Sequence, residues 1–255
     1  MHICIDIGNS NIVLGIFDNE SKKVHDFRLS TKRYATIDEL AMTLINLLKY
    51  KDIKESDIEG VIISSVVPEL DEPLKEVFNK FFNLDPIFVG PGIKSGINIK
   101  LDNPKQLGAD LLVGAVGAVS KYKEPVLVID IGTAMTITFV NKNKEFIGGA
   151  IMPGVHTAFS SLTNKASKLE DVSMEDISSP IGHNTKDCIQ SGMIYGWSSM
   201  IDGMIDKYHK ELGDFSVVVT GGEARYLVKH LHNKVFYDEN LLLDGLNLLY
   251  LKNKK

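Results

Sequence analysis

The stretch Cys4-Ile5-Asp6-Ile7-Gly8-Asn9-Ser10 returns 124 residues later as Val128-Ile129-Asp130-Ile131-Gly132-Thr133-Ala134. Each copy is an apolar strand interrupted by one carboxylate and closed by glycine and small polar residues, the composition of a tight turn. Each continues into a second apolar strand, Ile12 to Phe17 and Ala134 to Val140, so each half of the chain opens with a hairpin. The rest of each half repeats an order. Strands over 2–8, 11–17 and 24–30 precede a helix over 37–49, a β-branched strand over 60–67, a helix over 69–82 and a short strand over 86–89. Asn103-Pro104 caps a helix predicted to reach about Ser120. Strands over 126–131, 134–140 and 145–151 then precede helices over 154–162 and 184–210, a strand over 215–220, a helix after Gly221-Gly222 and a last helix over about 239–251. A meander followed by alternating helices and strands, twice, predicts duplicated α/β domains over 1–120 and 121–255, with the substrate cleft between them.

Composition narrows the partners. Of 255 residues 44% are hydrophobic and 24% charged, which suits folded domains, and a net charge of −5 gives no general attraction to nucleic acid or an anionic membrane. No uncharged apolar run approaches the roughly 18 residues that span a bilayer. Cys4 and Cys188 lack zinc-site spacing and are read as buried reduced thiols. With no basic leader before the first strand, the expected location is the cytoplasm.

An anion must then be held locally. A turn of glycine and small polar residues offers backbone N–H groups with little bulk in the way, which suits phosphate. The preceding carboxylates, Asp6 and Asp130, would repel phosphate without an intervening cation; each is therefore either metal-associated or a cap on its own turn. Gly221-Gly222, after the strand Val217 to Thr220, is either a backbone surface for a flat ring or an ordinary strand-to-helix joint. Between Lys105 and Lys121 the only ionisable side chain is Asp110. On an otherwise apolar helix it is either a desolvated proton acceptor or a first-turn residue favoured by the helix dipole. Gly114 and Gly117 on its face clear space for a substrate or for a neighbouring element. Thr185 is first a helix cap, and His156 a cap or surface residue. The face made by Ile189, Met193, Ile194, Trp197, Ile201, Met204, Ile205 and Tyr208 follows helical periodicity and is read as core, with a breadth that also suits a subunit interface.

Two Asp-Ile-Gly hairpins with a late Gly-Gly turn resemble the superfamily of sugar kinases, heat-shock ATPases and actin. Leu107-Gly108-Ala109-Asp110 after Asn103-Pro104, Gly148 to Gly154, Asn184-Thr185 and Gln190-Ser191-Gly192 narrow the resemblance to type III pantothenate kinase. It implies two ribonuclease H-like domains of the actin-like ATPase fold, and ATP-dependent phosphorylation of the primary hydroxyl of pantothenate, with ATP, Mg2+ and a monovalent cation, K+ or NH4+. It also implies a homodimer. Asp110 becomes the general base. Asp6, Ile7, Gly8, Asn9, Ser10, Asn11, Ile12 and Val13 take the phosphates, with Asp6 beside magnesium; Thr133, Gly221 and Gly222 contact the nucleotide, and Asp130 binds the monovalent cation. Gly108, Ala109, Asp110, Leu111, Leu101 and Thr185 form the acceptor site. Two of these depart from the family: its Arg after Gly-Ala-Asp is Leu111 here, and its Tyr before Asn-Pro is Leu101. Leucine offers a carboxylate none of the charge-assisted bonds of arginine. An altered small-alcohol acceptor, or a catalytically weak nucleotide-binding regulator, are the alternatives that these departures leave open.

Overall fold

The computed structural model describes residues 1–166, 172–175 and 177–254. The chain opens with the meander β1 (His2–Ile7), β2 (Asn11–Phe17) and β3 (Lys23–Ser30). Helix α1 (Ile37–Tyr50) starts in a reciprocal cap: Thr36 Oγ1 accepts from the Glu39 N–H at 3.3 Å, and the Glu39 carboxylate accepts from the Thr36 N–H at 2.9 Å. Its Ala41, Leu44 and Leu48, three and four residues apart, are buried. Strand β4 (Gly60–Ser65), helix α2 (Asp71–Val77) with one π turn after it, and the two-residue strands β5 (Ile87–Phe88) and β6 (Asn98–Ile99) follow. Asn103 caps only a single 3-10 turn, Pro104–Gln106, and helix α3 (Ala109–Lys121) begins after a break, so the single helix expected from Asn103 to Ser120 is two elements. Leu107 takes extended angles (φ −63°, ψ 123°), which end the first turn.

The second half holds β7 (Val126–Ile131), β8 (Ala134–Val140), β9 (Glu145–Pro153), α4 (Val155–Lys165), α5 (Thr185–Ser191), α6 (Trp197–Leu212), β10 (Ser216–Thr220), α7 (Ala224–Leu227), β11 (Phe236–Tyr237) and α8 (Leu241–Asn253). A π turn over Gly192–Gly196 joins α5 to α6.

Two sheets result, ordered β3-β2-β1-β4-β5 and β9-β8-β7-β10-β11, the second with β6 added beyond β9. Corresponding pairs run in the same sense: β1/β2 and β7/β8 antiparallel, β1/β4 and β7/β10 parallel. Even the irregularities match. The register of β2 on β3 slips between Ile16 and Phe17, and that of β8 on β9 slips at the equivalent place, between Phe139 and Val140. This is the duplicated architecture expected from the repeat.

By contact the chain forms two units: residues 1–97, 102–120 and 241–255, and residues 98–101 with 121–240. In the first, Ile3, Ile5, Ile7 and Ile63 face a core with α1 and α2, while Cys4 and Ile62 face α3 and α8 on the other side of the sheet. In the second, Leu127, Ile129, Ile131, Val217 and Val219 face a core shared with α4 and α6. Helix α8 thus closes the first unit although it comes last in the chain. Its apolar sequence needs burial all round. A Cβ on Gly117 would collide with the Leu241 carbonyl and one on Gly245 with the Val113 carbonyl, so these glycines bring α3 and α8 into backbone contact. Gly117 therefore clears room for a helix rather than for a substrate.

Candidate active site

In the first unit the hairpin turn is closed by a bond from the Gly8 N–H to the Asn11 carbonyl at 2.9 Å, leaving Asn9, Ser10 and Asn11 exposed. It is anchored from β3 onward: Thr31 Oγ1 donates to the Gly8 carbonyl at 2.7 Å and its N–H to the Ser10 carbonyl at 3.0 Å. Arg33 donates to Asn9 Oδ1 at 2.9 Å and pairs with Glu69 at 3.5 Å. Sequence reasoning missed Thr31 and Arg33, which stand some twenty residues from the turn they hold. Ile7 and Ile12 pair across the turn and are buried; Val13 is half-buried opposite Asp6.

Asp6 lies on the same face of the sheet as Cys4, the face that α3 covers. Asp110 is in the first turn of α3. Its Oδ1 accepts from the Leu111 N–H at 2.8 Å and lies where a side chain on Gly108 would be: a Cβ there would stand 2.5 Å from it. The Gly of Gly-Ala-Asp is thus a space requirement of the carboxylate. Burial raises the proton affinity of Asp110 above the ordinary carboxylate value, and the backbone N–H bonds oppose this less strongly. Leu111 follows it half-buried, and Leu101 packs beside Gly148 in the second unit. Lys100, next to Leu101, is paired with Glu145 at 3.6 Å.

A cavity of about 270 Å³ opens beside Ser65, Asp71, Lys75 and Val89. Ser65 lies on the opposite face of the strand from Ser64, so this cavity is on the α2 side, away from Asp6 and Asp110.

In the second unit the turn is one residue shorter: Ile131 pairs with Met135 where Ile7 pairs with Ile12, and the Gly132 N–H donates to the Ala134 carbonyl at 3.0 Å. Thr133 is exposed, and its carbonyl accepts from the Gly154 N–H at 2.9 Å and from Thr157 Oγ1 at 2.7 Å. A Cβ on Gly154 would collide with the Gly132 carbonyl, which explains a glycine there. Gly221 has φ +99° and packs on the end of β7, where a Cβ would strike the Ile131 carbonyl and lie 2.5 Å from Asp130 Oδ1. Gly222 is exposed beside it. Glu223 was not foreseen as part of this cluster; it accepts from the His156 N–H at 3.5 Å, and burial raises its proton affinity. Asp130, Thr133, Gly221 and Gly222 are therefore gathered at one end of the second sheet.

Two sequence readings are corrected. Asn184, not Thr185, caps α5, accepting from the Asp187 N–H at 2.9 Å, and Thr185 is exposed at the first helical position. Cys188 is exposed; only Cys4 is buried. The apolar face from Ile189 to Tyr208 is core, as its periodicity predicts: Ile189, Met193, Ile194, Ile201 and Ile205 are buried, with Trp197, Met204 and Tyr208 half-buried against them.

The family model of type III pantothenate kinase matches residues 2–207. The chain belongs to the type III pantothenate kinase family. Members from Exiguobacterium sp. (strain AT1b), Halalkalibacterium halodurans and Listeria monocytogenes are 38%, 40% and 40% identical to it, over 99–100% of this chain and 98–100% of theirs. Among solved structures, one described as a Baf family transcriptional activator from Campylobacter jejuni aligns over 98% of both chains at 21% identity with a TM-score of 0.61. A ROK family glucokinase from Streptomyces griseus, solved with glucose and AMPPNP, aligns over 100% and 99% of the two chains at 14% identity with a TM-score of 0.53. At these identities the structural likeness speaks for the actin-like ATPase fold. No helix among the described residues is long and apolar enough to cross a membrane.

Proposed function

We propose that the protein transfers the γ-phosphoryl group of ATP to the primary hydroxyl of pantothenate, giving 4'-phosphopantothenate, the opening step towards coenzyme A. The observation that carries this reading is the Asp110 carboxylate, desolvated at the start of α3 within a Gly-Ala-Asp run, in a chain that matches type III pantothenate kinases along its whole length.

Phosphoryl transfer asks for little covalent chemistry from the protein; positioning and charge stabilisation do most of the work. Asp110 accepts or orients the hydroxyl proton of the acceptor, a role its raised proton affinity favours at neutral pH. The exposed Asn9–Asn11 segment, with Asp6 behind it, receives the β- and γ-phosphates. Thr133 and the Gly221-Gly222 backbone receive the nucleotide. Gly108, Ala109, Leu111, Leu101 and Thr185 complete the acceptor site. Among the described residues no three His, Cys, Asp or Glu side chains cluster to hold a metal. An ion at Asp6 must then draw most of its ligands from phosphate and water, which is how Mg2+ is usually held. Charge on the phosphates is offset by the magnesium that ATP carries. Asp130, whose Oδ1 leans over Gly221, takes the monovalent cation, K+ or NH4+. The reading includes a cytoplasmic homodimer.

Coupled ADP release with and without pantothenate tests it. ADP formation that requires pantothenate and K+ and is lost in Asp110→Asn is the expected result. ADP formation with only another alcohol would point instead to an altered acceptor, as Leu111 and Leu101 allow. Tight nucleotide binding without turnover would point to a regulator.

A further inference from the structure

Two buried hydroxyls have no partner. Ser64, at the penultimate position of β4, is 0% exposed and Thr220, the last residue of β10, is 1% exposed, and neither Ser64 Oγ nor Thr220 Oγ1 makes a hydrogen bond. Such groups are rare in folded proteins because each forfeits its hydration without compensation. Their neighbours along the same strand faces, Ile62 and Val218, are apolar and fully buried, so an alanine or valine would serve the core better at either place.

The two positions are one position in the duplicated fold. In the parallel pairing of β1 with β4, Ser64 is in register with Asp6; in that of β7 with β10, Thr220 is in register with Asp130. Residues in register on neighbouring strands point to the same face. Each hydroxyl therefore flanks the aspartate at the next-to-last position of the first strand of its own half. Asp130 has Thr136 in register on its other side, where Asp6 has Val13, so the second site is the richer in oxygen. A hydroxyl carries one donor and two acceptor sites, and an ionised carboxylate only accepts, so the pair is complementary once the side chains turn towards each other.

We infer that Ser64 and Thr220 are positioning residues, hydroxyls kept unpartnered in the core so that each can bond its neighbouring aspartate, or a water on that aspartate's cation, when ligand is bound. The inference rests on the proposed roles of Asp6 and Asp130 and adds the groups that aim them. Both halves, at Ile62-Ile63-Ser64 and at Val218-Val219-Thr220, carry the same feature at the same place although their side chains differ.

The test is thermal unfolding of the full chain, first without ligand, then titrated with MgADP and with KCl at constant ionic strength. Variants are Ser64→Ala, Thr220→Val, Thr220→Ala and Thr220→Ser. The expected result is an unliganded melting temperature for Ser64→Ala and Thr220→Val at or above that of the wild type. MgADP affinity in Ser64→Ala and K+ affinity in Thr220→Val should fall about tenfold, the worth of a hydrogen bond to a charged group. Thr220→Ser should restore the K+ response. If Thr220→Val fails to fold, Thr220→Ala carries the same comparison. Variants that melt lower without ligand but respond to MgADP and K+ as the wild type does would show a merely structural role and overturn the inference. Asp6→Asn and Asp130→Asn, measured alongside, separate the two levels. If they lose the responses while the hydroxyl variants keep them, only the inference fails. If they too respond normally, the roles given to the aspartates fail with it.

Discussion

Replacing Gly108 with alanine separates the position of the Asp110 carboxylate from its presence. The new Cβ would stand 2.5 Å from Asp110 Oδ1 and 3.6 Å from Leu111 Cγ. Ordinary contact needs about 3.5 Å, so the oxygen must retreat by about 1 Å and leave its 2.8 Å bond from the Leu111 N–H. Gly108 has no left-handed φ, so alanine fits the backbone, and the atom that yields is the end of a flexible side chain. A rotamer shift of this kind costs about 0.5–1.5 kcal/mol, and the reduced freedom of the unfolded chain returns about 0.4–1 kcal/mol, so stability should hardly change. A 1 Å misplacement of a reacting group costs about 10²-fold in rate. The assay pairs coupled ADP release under saturating ATP and pantothenate with a thermal melt. The expected outcome is kcat down about 10²-fold, KM for ATP unchanged and a melting temperature close to wild type. A variant with wild-type kcat would refute the claim that this carboxylate's placement sets the rate, and one that fails to fold would refute the claim that the side chain absorbs the clash.

Further outcomes follow from the same geometry. Because burial raises the folded-state pKa of Asp110, its ionisation opposes folding: any stability it contributes is fully present below the unfolded value and is lost as pH rises from there through the raised folded value. Asp110→Asn should therefore be at least as stable as wild type near pH 7 in a melt, while turnover falls by about 10²–10⁴-fold. The acid limb of kcat against pH should lie above the ordinary range of an exposed aspartate, and a limb within or below that range would contradict the desolvation of Asp110. Gly117→Ala, which drives a Cβ into the Leu241 carbonyl, should destabilise the first unit by about 1–3 kcal/mol in urea unfolding. Gly221→Ala should cost a similar amount through its φ of +99° and should also weaken nucleotide binding by calorimetry.

The hairpins, their aspartates and the duplication were legible because apolar alternation and Asp-x-Gly punctuation are local signals. The expectation that the second half simply follows the first failed at α8. Its apolar sequence announces burial but not against what, and only the facing glycines Gly117 and Gly245 show the partner. Asn184 and Thr185 are both good cap formers side by side, and propensity does not choose between them. Leu107 breaks Pro104–Gln106 from α3, and its one local sign is Gly108 after it, which alone does not tell a break from a glycine inside a helix. In the site, Asp110 stood out through the absence of other charges around it. Thr31, Arg33 and Glu223 did not, since what marks them is contact across the fold. Ser64 and Thr220 read as the ends of buried strands, and their lack of partners is visible only in three dimensions.

The most direct test of the central claim follows the label from γ-³²P ATP in the presence of pantothenate. Transfer of label to pantothenate by the wild-type protein, abolished in Asp110→Asn although that variant still binds ATP, is what the account requires. Label that never reaches pantothenate, or reaches it equally well without the Asp110 carboxylate, would contradict it.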